Sequence, residues 1–225
     1  MHPIILSVSK QYRQNANAEK AFGAKAYMLN QFEFFGIPAP QRSAIDKTTL
    51  KQHAIESIKE VELVVKELWK MPEREYQYFA ITLFAYYKKL WKPSSIKVME
   101  YCITHKSWWD SVDGIASEWT GPFFKLFPEQ KEKITEGWNQ SSNMWLQRSS
   151  IMFQKAYKNE TDTALLARYI LNCKDSKEFF IQKAIGWALR EYSKTNPQWV
   201  TKFVKQNKLA PLSAREAMKR IMKIV

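Results

Sequence analysis

Three segments of the chain share one register: REYQYFAITLFAYY (74–87), MWLQRSSIMFQKAY (144–157) and FFIQKAIGWALREY (179–192). Gln77, Gln147 and Gln182 coincide in them, as do Tyr87, Tyr157 and Tyr192. The second and third blocks are offset by 35 residues and the first and second by two such steps, so one unit is skipped. That unit is centred on Val112 in WWDSVDGIASEWT, which is helix-sized although its Gln and Tyr are missing. Further helical candidates alternate with these blocks: Ala54–Lys70, Ser95–His105, Pro128–Trp138, Thr163–Asn172 and Pro197–Gln206. Two helices per ~35 residues mark a stack of helical hairpins, each burying its apolar face on the next. The expected fold is therefore all-α, an α-solenoid of the HEAT class with a concave basic face.

The breaks agree with this reading. Pro3, Pro40, Pro72, Pro93, Pro122, Pro128, Pro197 and Pro211 lie at or near block edges, where a missing N–H is tolerated. Asp175…Glu178 and Ser213…Glu216 have capping-box spacing, and Pro72 suits a first helical turn. Strand-like alternation is not sustained anywhere. A chain of 225 residues can bury a sizeable core. No linker divides it, so a single repeat domain over 1–225 is expected, with the helices of residues 1–50 forming one wall of a groove.

Lys and Arg number 35 against 22 Asp and Glu, a net charge of +13. Such an excess points to a polyanionic partner, nucleic acid or an acidic membrane. No apolar run approaches the ~18 residues of a membrane span, and no amphipathic helix stands out as surface-seeking. The start MHPIILSVSK lacks the basic region and apolar core of a signal peptide. Cys102 and Cys173 make no disulfide framework and suit buried thiols of an intracellular protein. His2, His53 and His105 have no ligand partners at useful spacing, so neither metal nor cofactor is expected.

In a solenoid, equivalent helices of successive repeats run side by side, so equivalent positions form columns. One column reads Asp113, Arg148, Lys183; a turn earlier it reads Trp109, Met144, Phe179. A turn later it reads Ser117, Met152, Trp187, and two turns later Thr120, Lys155, Arg190. Spacings of i, i+4 and i+7 keep each set on one helix face. Lys194 extends the basic set. Burying that many unpaired charges would be costly, so the patch is expected to face solvent. Cations interleaved with indoles suit a sugar-phosphate backbone.

These residues resemble the AlkD-type alkylpurine DNA glycosylases, a bacterial HEAT-like repeat family of DNA alkylation repair enzymes. The resemblance runs nearly end to end and is most specific in KSWWDSVD (106–113), WLQR (145–148) and SKEFFIQKAIGWALREYSKTNP (176–197). It implies excision of cationic N3- and N7-alkylated purines, such as N3-methyladenine and N7-methylguanine, from duplex DNA without drawing the base into a pocket. It assigns the catalytic carboxylate to Asp113, sugar-packing rings to Trp109 and Trp187, and backbone contacts to Arg148. It also places Tyr27 in the DNA-facing wall and, for the whole, a monomer in the bacterial cytoplasm. One stretch departs: Gly36-Ile37-Pro38-Ala39-Pro40-Gln41-Arg42-Ser43 has Ala39 and Ser43 where the family has a hydroxyl and a guanidinium.

The chemistry is consistent with those assignments. An alkylated purine is already cationic and leaves as a neutral base, so the difficulty lies in the oxocarbenium character of the sugar. A carboxylate near C1′ stabilises that charge and can orient water. Asp110 is the rival of Asp113, but only Asp113 stands in the column with Arg148 and Lys183, cations that would keep it ionised. Two other readings remain at this point. One is a non-catalytic DNA-binding relative; the other is a protein-binding scaffold, since fold does not fix function.

Overall fold

Asparagine, aspartate and proline set most helix starts. In the computed structural model, which describes residues 1–223, the side chains of Asn17, Asn143, Asp162 and Asn196 accept backbone N–H groups of the first turns they precede. Prolines occupy first-turn positions of six helices, where the absent N–H has no partner to lose. The chain separates into two units, one of residues 1–98 and one from Met99 onward.

The amino-terminal unit carries α1 (Pro3–Gln14), α2 (Ala18–Tyr27), α3 (Ala39–Gln52), α4 (Ile58–Lys70) and α5 (Arg74–Tyr86). α3 packs on α1 and α5, and α4 on α5. Its core combines Val8, Val61, Val64, Leu68, Phe79 and Phe84 with a ring cluster of Tyr12, Phe35 and Tyr76. The loop before α3 turns at Gly36, whose φ of 80° lies in the left-handed region. A Cβ there would come within 2.3 Å of the Asn17 carbonyl oxygen, so only glycine fits.

From α6 (Ile96–Thr104), inside which the division falls, the carboxy-terminal unit continues with α7 (Trp109–Ile115), α8 (Gly121–Leu126) and α9 (Pro128–Asn139). α10 (Met144–Met152), α11 (Thr163–Cys173), α12 (Phe179–Tyr192), α13 (Pro197–Gln206) and α14 (Pro211–Met218) follow. α7 and α8 are joined by a π-helical turn, Ala116–Thr120, where the Gly121 N–H reaches back to the Ala116 carbonyl. Pro122 has no N–H to give the helix and crowds the preceding turn, which accounts for the widening. The core includes Val112, Ile115, Trp119, Phe123, Phe124, Phe153, Ile181 and Leu189. No strand occurs among the described residues; Glu33 and Glu73 form an isolated bridge.

The repeat is written into the side-chain hydrogen bonds. Tyr87 donates to the His53 carbonyl, Tyr157 to the Gly121 carbonyl, and Arg148 to Asp113, reaching back 34, 36 and 35 residues. Thr135 with Tyr169, Asn139 with Cys173, and Lys125 with Glu160 span the same interval. Gln77 donates to the carbonyls of Leu68 and Met71, closing the end of α4. Tyr87 and Tyr157 are thus fasteners between adjacent hairpins, whereas Gln77 and Gln182 each donate to a carbonyl six residues back in the chain.

Several local expectations need correction. The helix expected over Ala54–Lys70 begins at Ile58, because Tyr87 holds residues 53–55 extended by bonding both the His53 carbonyl and the Ile55 N–H. The block 144–157 stops being helical after Met152, where Gln154 bonds both backbone groups of Asp162. Neither capping box forms. α12 starts beyond Asp175 and Glu178, and Ser213 lies inside α14, donating to the Gln182 carbonyl. Pro72 precedes the first residue of α5 by two positions.

Candidate functional site

Stacking α7, α10 and α12 brings the predicted column together. Arg148, on α10, reaches across to α7 and grips Asp113 with two bonds: Nε to Oδ1 at 2.8 Å and Nη2 to Oδ2 at 2.8 Å. Its remaining Nη1 donates to the Phe180 carbonyl at the start of α12. One guanidinium therefore ties three successive repeats and fixes the carboxylate in a single orientation. An exposed column was expected here, but Arg148 is only 1% exposed. The expectation assumed unpaired charge; paired bidentately with Asp113, the guanidinium tolerates burial.

Trp187, half-buried on α12, is the centre of the cations. Arg148, Lys155, Lys183 and Arg190 each lie 5.5–5.9 Å from its ring centroid. No acceptor among the described residues reaches its buried Nε1. Trp109, also half-buried, opens α7 one turn before Asp113. Behind the column Trp108, Trp145 and Phe180 form a ring cluster with centroids 5.1–6.0 Å apart, a rigid backing for the first turns of α10 and α12. Lys155 and Lys194 also meet at a cavity of about 180 Å³, together with Lys158, Thr161, Tyr192 and Thr195. Lys194 is half-exposed and paired with Glu191 at 2.7 Å.

The sequence reading marked Glu216 only as part of a capping box, not as a site residue. It projects from α14 and accepts from Lys183 at 2.9 Å and from Arg190 at 2.8 Å while only 8% exposed. The hydrogen bond from Lys183 holds its carboxyl below the usual range, with attraction from Lys183, Arg190 and Lys219 adding to it, although burial alone would raise it. Its separation from Lys183, 33 residues, is close to one repeat and was the available signal. The capping-box spacing had drawn attention to the wrong role.

Tyr27 belongs to the amino-terminal unit. It ends α2, a helix with no buried residue, and is 70% exposed. With Lys20, Met28, Arg42 and Tyr78 it lines an open cleft of about 540 Å³. The departing stretch lies here: Ala39 begins α3, Ser43 is exposed, and the Arg42 guanidinium lies over the Tyr78 ring at 4.3 Å. No group of three or more His, Cys, Asp or Glu able to hold a metal occurs among the described residues.

Comparison with known proteins bears on what this arrangement is for. The family model described as DNA alkylation repair enzyme matches residues 8–221. A solved structure described as a predicted DNA alkylation repair enzyme from Enterococcus faecalis is 36% identical. It superposes with a TM-score of 0.86, over 93% of this chain and 98% of that one. AlkD2 from Streptococcus mutans is 19% identical with a TM-score of 0.61, over 84% of this chain and 90% of that one. The smu.31 protein of Streptococcus mutans UA159 is 17% identical with a TM-score of 0.62, over 96% and 98%. At those identities the last two speak for the all-helical repeat fold alone. None of the curated proteins is similar enough in sequence to match.

Proposed function

The chain belongs to the DNA alkylation repair enzyme family, and from that premise we propose that it is a DNA glycosylase. It hydrolyses the N-glycosidic bond of N3- and N7-alkylated purines in duplex DNA, the first step of base excision repair. The observation that carries this reading is the Asp113 carboxylate, locked by a buried guanidinium and still 11% exposed, in the same unit as the cation-ringed Trp187. A fixed negative charge is what a developing oxocarbenium ion needs, because preorganised charge costs no reorientation during reaction.

In this reading Asp113 stabilises the sugar cation and orients the attacking water, while the alkylated base leaves as a neutral molecule. Trp109 and Trp187 pack on the deoxyribose, adding cation–π attraction as positive charge builds there. Arg148 acts chiefly by holding Asp113. Lys155, Lys183, Arg190 and Lys194 hold phosphates, with Tyr27 contributing from the amino-terminal helices of residues 1–50. No helix among the described residues is long and apolar enough to cross a membrane. We infer a monomer acting on bacterial chromosomal DNA in the cytoplasm, without base flipping and without a metal.

One observation favours a second reading, a DNA-binding relative without catalysis: both Asp113 oxygens already accept from Arg148. Each oxygen keeps a further lone pair, so the glycosylase reading stands ahead. The deciding experiment is release of N7-methylguanine and N3-methyladenine from alkylated duplex DNA by the wild-type protein and by Asp113→Asn. Release by the wild type alone supports the assignment. No release by either, with salt-sensitive DNA binding retained, selects the non-catalytic relative.

A further inference from the structure

The charges around Trp187 do not balance. Four cations surround the ring, and two carboxylates answer them: Asp113 takes Arg148, and Glu216 takes both Lys183 and Arg190. Lys155 has no carboxylate partner among the described residues, although its ammonium is 5.6 Å from the same ring. Glu216 is thus the one negative charge shared between two of the four cations.

Its position depends on a bare stretch of α12. Lys183, Gly186, Trp187 and Arg190 follow the i, i+3, i+4, i+7 pattern of one helix face. A Cβ on Gly186 would come within 2.5 Å of the Glu216 Cβ and 3.0 Å of the Ser213 carbonyl oxygen. The missing side chain lets α14 settle onto α12 between the two cations, and the Ser213 hydroxyl fastens it to the Gln182 carbonyl at 2.9 Å. A carboxylate so placed is not a surface accident, since it is almost buried and doubly paired.

Two demands on this patch conflict. Phosphates bind more tightly the more positive it is. The reacting nucleotide wants the reverse, because positive charge moves from the alkylated base onto the sugar as the bond breaks, and a nearby excess of cations opposes that shift. We propose that Glu216 is a positioning residue that sets this balance, drawing Lys183 and Arg190 onto the flanks of Trp187 and cancelling one charge, at the expense of DNA affinity and to the gain of excision. The proposal rests on the glycosylase reading and deepens it.

Glu216→Gln keeps the shape and removes the charge. Binding to undamaged duplex is expected to tighten about three- to tenfold at low salt, with the slope of log K against log salt steeper by about 0.9. Single-turnover release of N7-methylguanine is expected to fall about tenfold. Glu216→Asp should recover both. A purely structural role would weaken binding and excision together, so unchanged or weaker binding with an unchanged slope overturns the proposal. Should thermal melting show that Glu216→Gln does not fold, Glu216→Gln/Lys183→Met removes one charge of each sign. Its salt slope should match the wild type, and a markedly different slope overturns the proposal. Absence of excision by the wild type would overturn the glycosylase reading and the catalytic half with it. The salt slope would still decide the charge-balancing half.

Discussion

Two carboxylates of each unit stand at or close to full burial, and they are satisfied in opposite ways. In the amino-terminal unit Asp46, 2% exposed, accepts from the Tyr12 hydroxyl at 2.5 Å, and Glu75, also 2% exposed, accepts from the backbone N–H groups of Phe35, Gly36 and Ile37. In the carboxy-terminal unit Asp113 and Glu216 are held by Arg148, Lys183 and Arg190. Neutral donors fasten a loop and a helix; they leave a carboxylate with little reason to attract a ligand. Cationic partners, gathered around a half-buried indole, leave a patch with unspent positive charge. Within the proposed glycosylase reading, the kind of partner, more than the depth of burial, separates carboxylates that hold the fold from those proposed to serve the site.

The largest test of that contrast is catalytic. Asp113→Asn should lower excision roughly a thousandfold, the value of one ion pair at ~4 Å and an effective dielectric of ~20. The Asn carbonyl can still accept from Arg148, so duplex binding should survive. Asp46→Asn should leave the rate within about twofold, and a comparable loss in that variant would erase the distinction. Next comes stability. Arg148→Met strands Asp113 without its partner and should cost about 3–5 kcal/mol in urea unfolding. A variant as stable as the wild type would mean the pair contributes nothing to the fold.

The pH dependence of the amino-terminal unit gives a third, smaller effect. Burial pushes the Asp46 carboxyl up to about 6, against the lowering influence of the Tyr12 hydrogen bond and Arg42. The folded protein therefore keeps a proton that the unfolded chain gives up near pH ~4. Stability from this group is present below about pH 4 and is lost as pH rises through about 6. Relative to Asp46→Asn, the wild type should lose roughly 2–3 kcal/mol across that window. A flat difference between the two melting curves would contradict it. Smallest of all, Tyr157→Phe removes the bond to the Gly121 carbonyl. It should cost about 1 kcal/mol with no change in rate, as a fastener should.

Much of this was legible in the chain itself. The 35-residue register announced an all-helical repeat, and the fasteners Tyr87, Tyr157 and Arg148 reach back by that interval. The same register set Asp113 beside Arg148, because a column position follows from arithmetic once neighbouring helices align. Helix starts were legible where proline stood within the first turn, since its missing N–H excludes the helix interior. They were misread at Asp175 and Ser213, where capping spacing occurs without a helix beginning there.

What only the tertiary structure decided is which charges neutralise one another and how deeply. The sequence listed Arg148, Lys183 and Arg190 as members of one exposed cationic patch. In the fold the first is buried against Asp113 and the other two converge on Glu216. Periodicity determines which helix faces meet, because backbone geometry repeats along the chain. Pairing depends on side-chain reach and on close approaches such as α14 over Gly186, set by packing between helices distant in sequence.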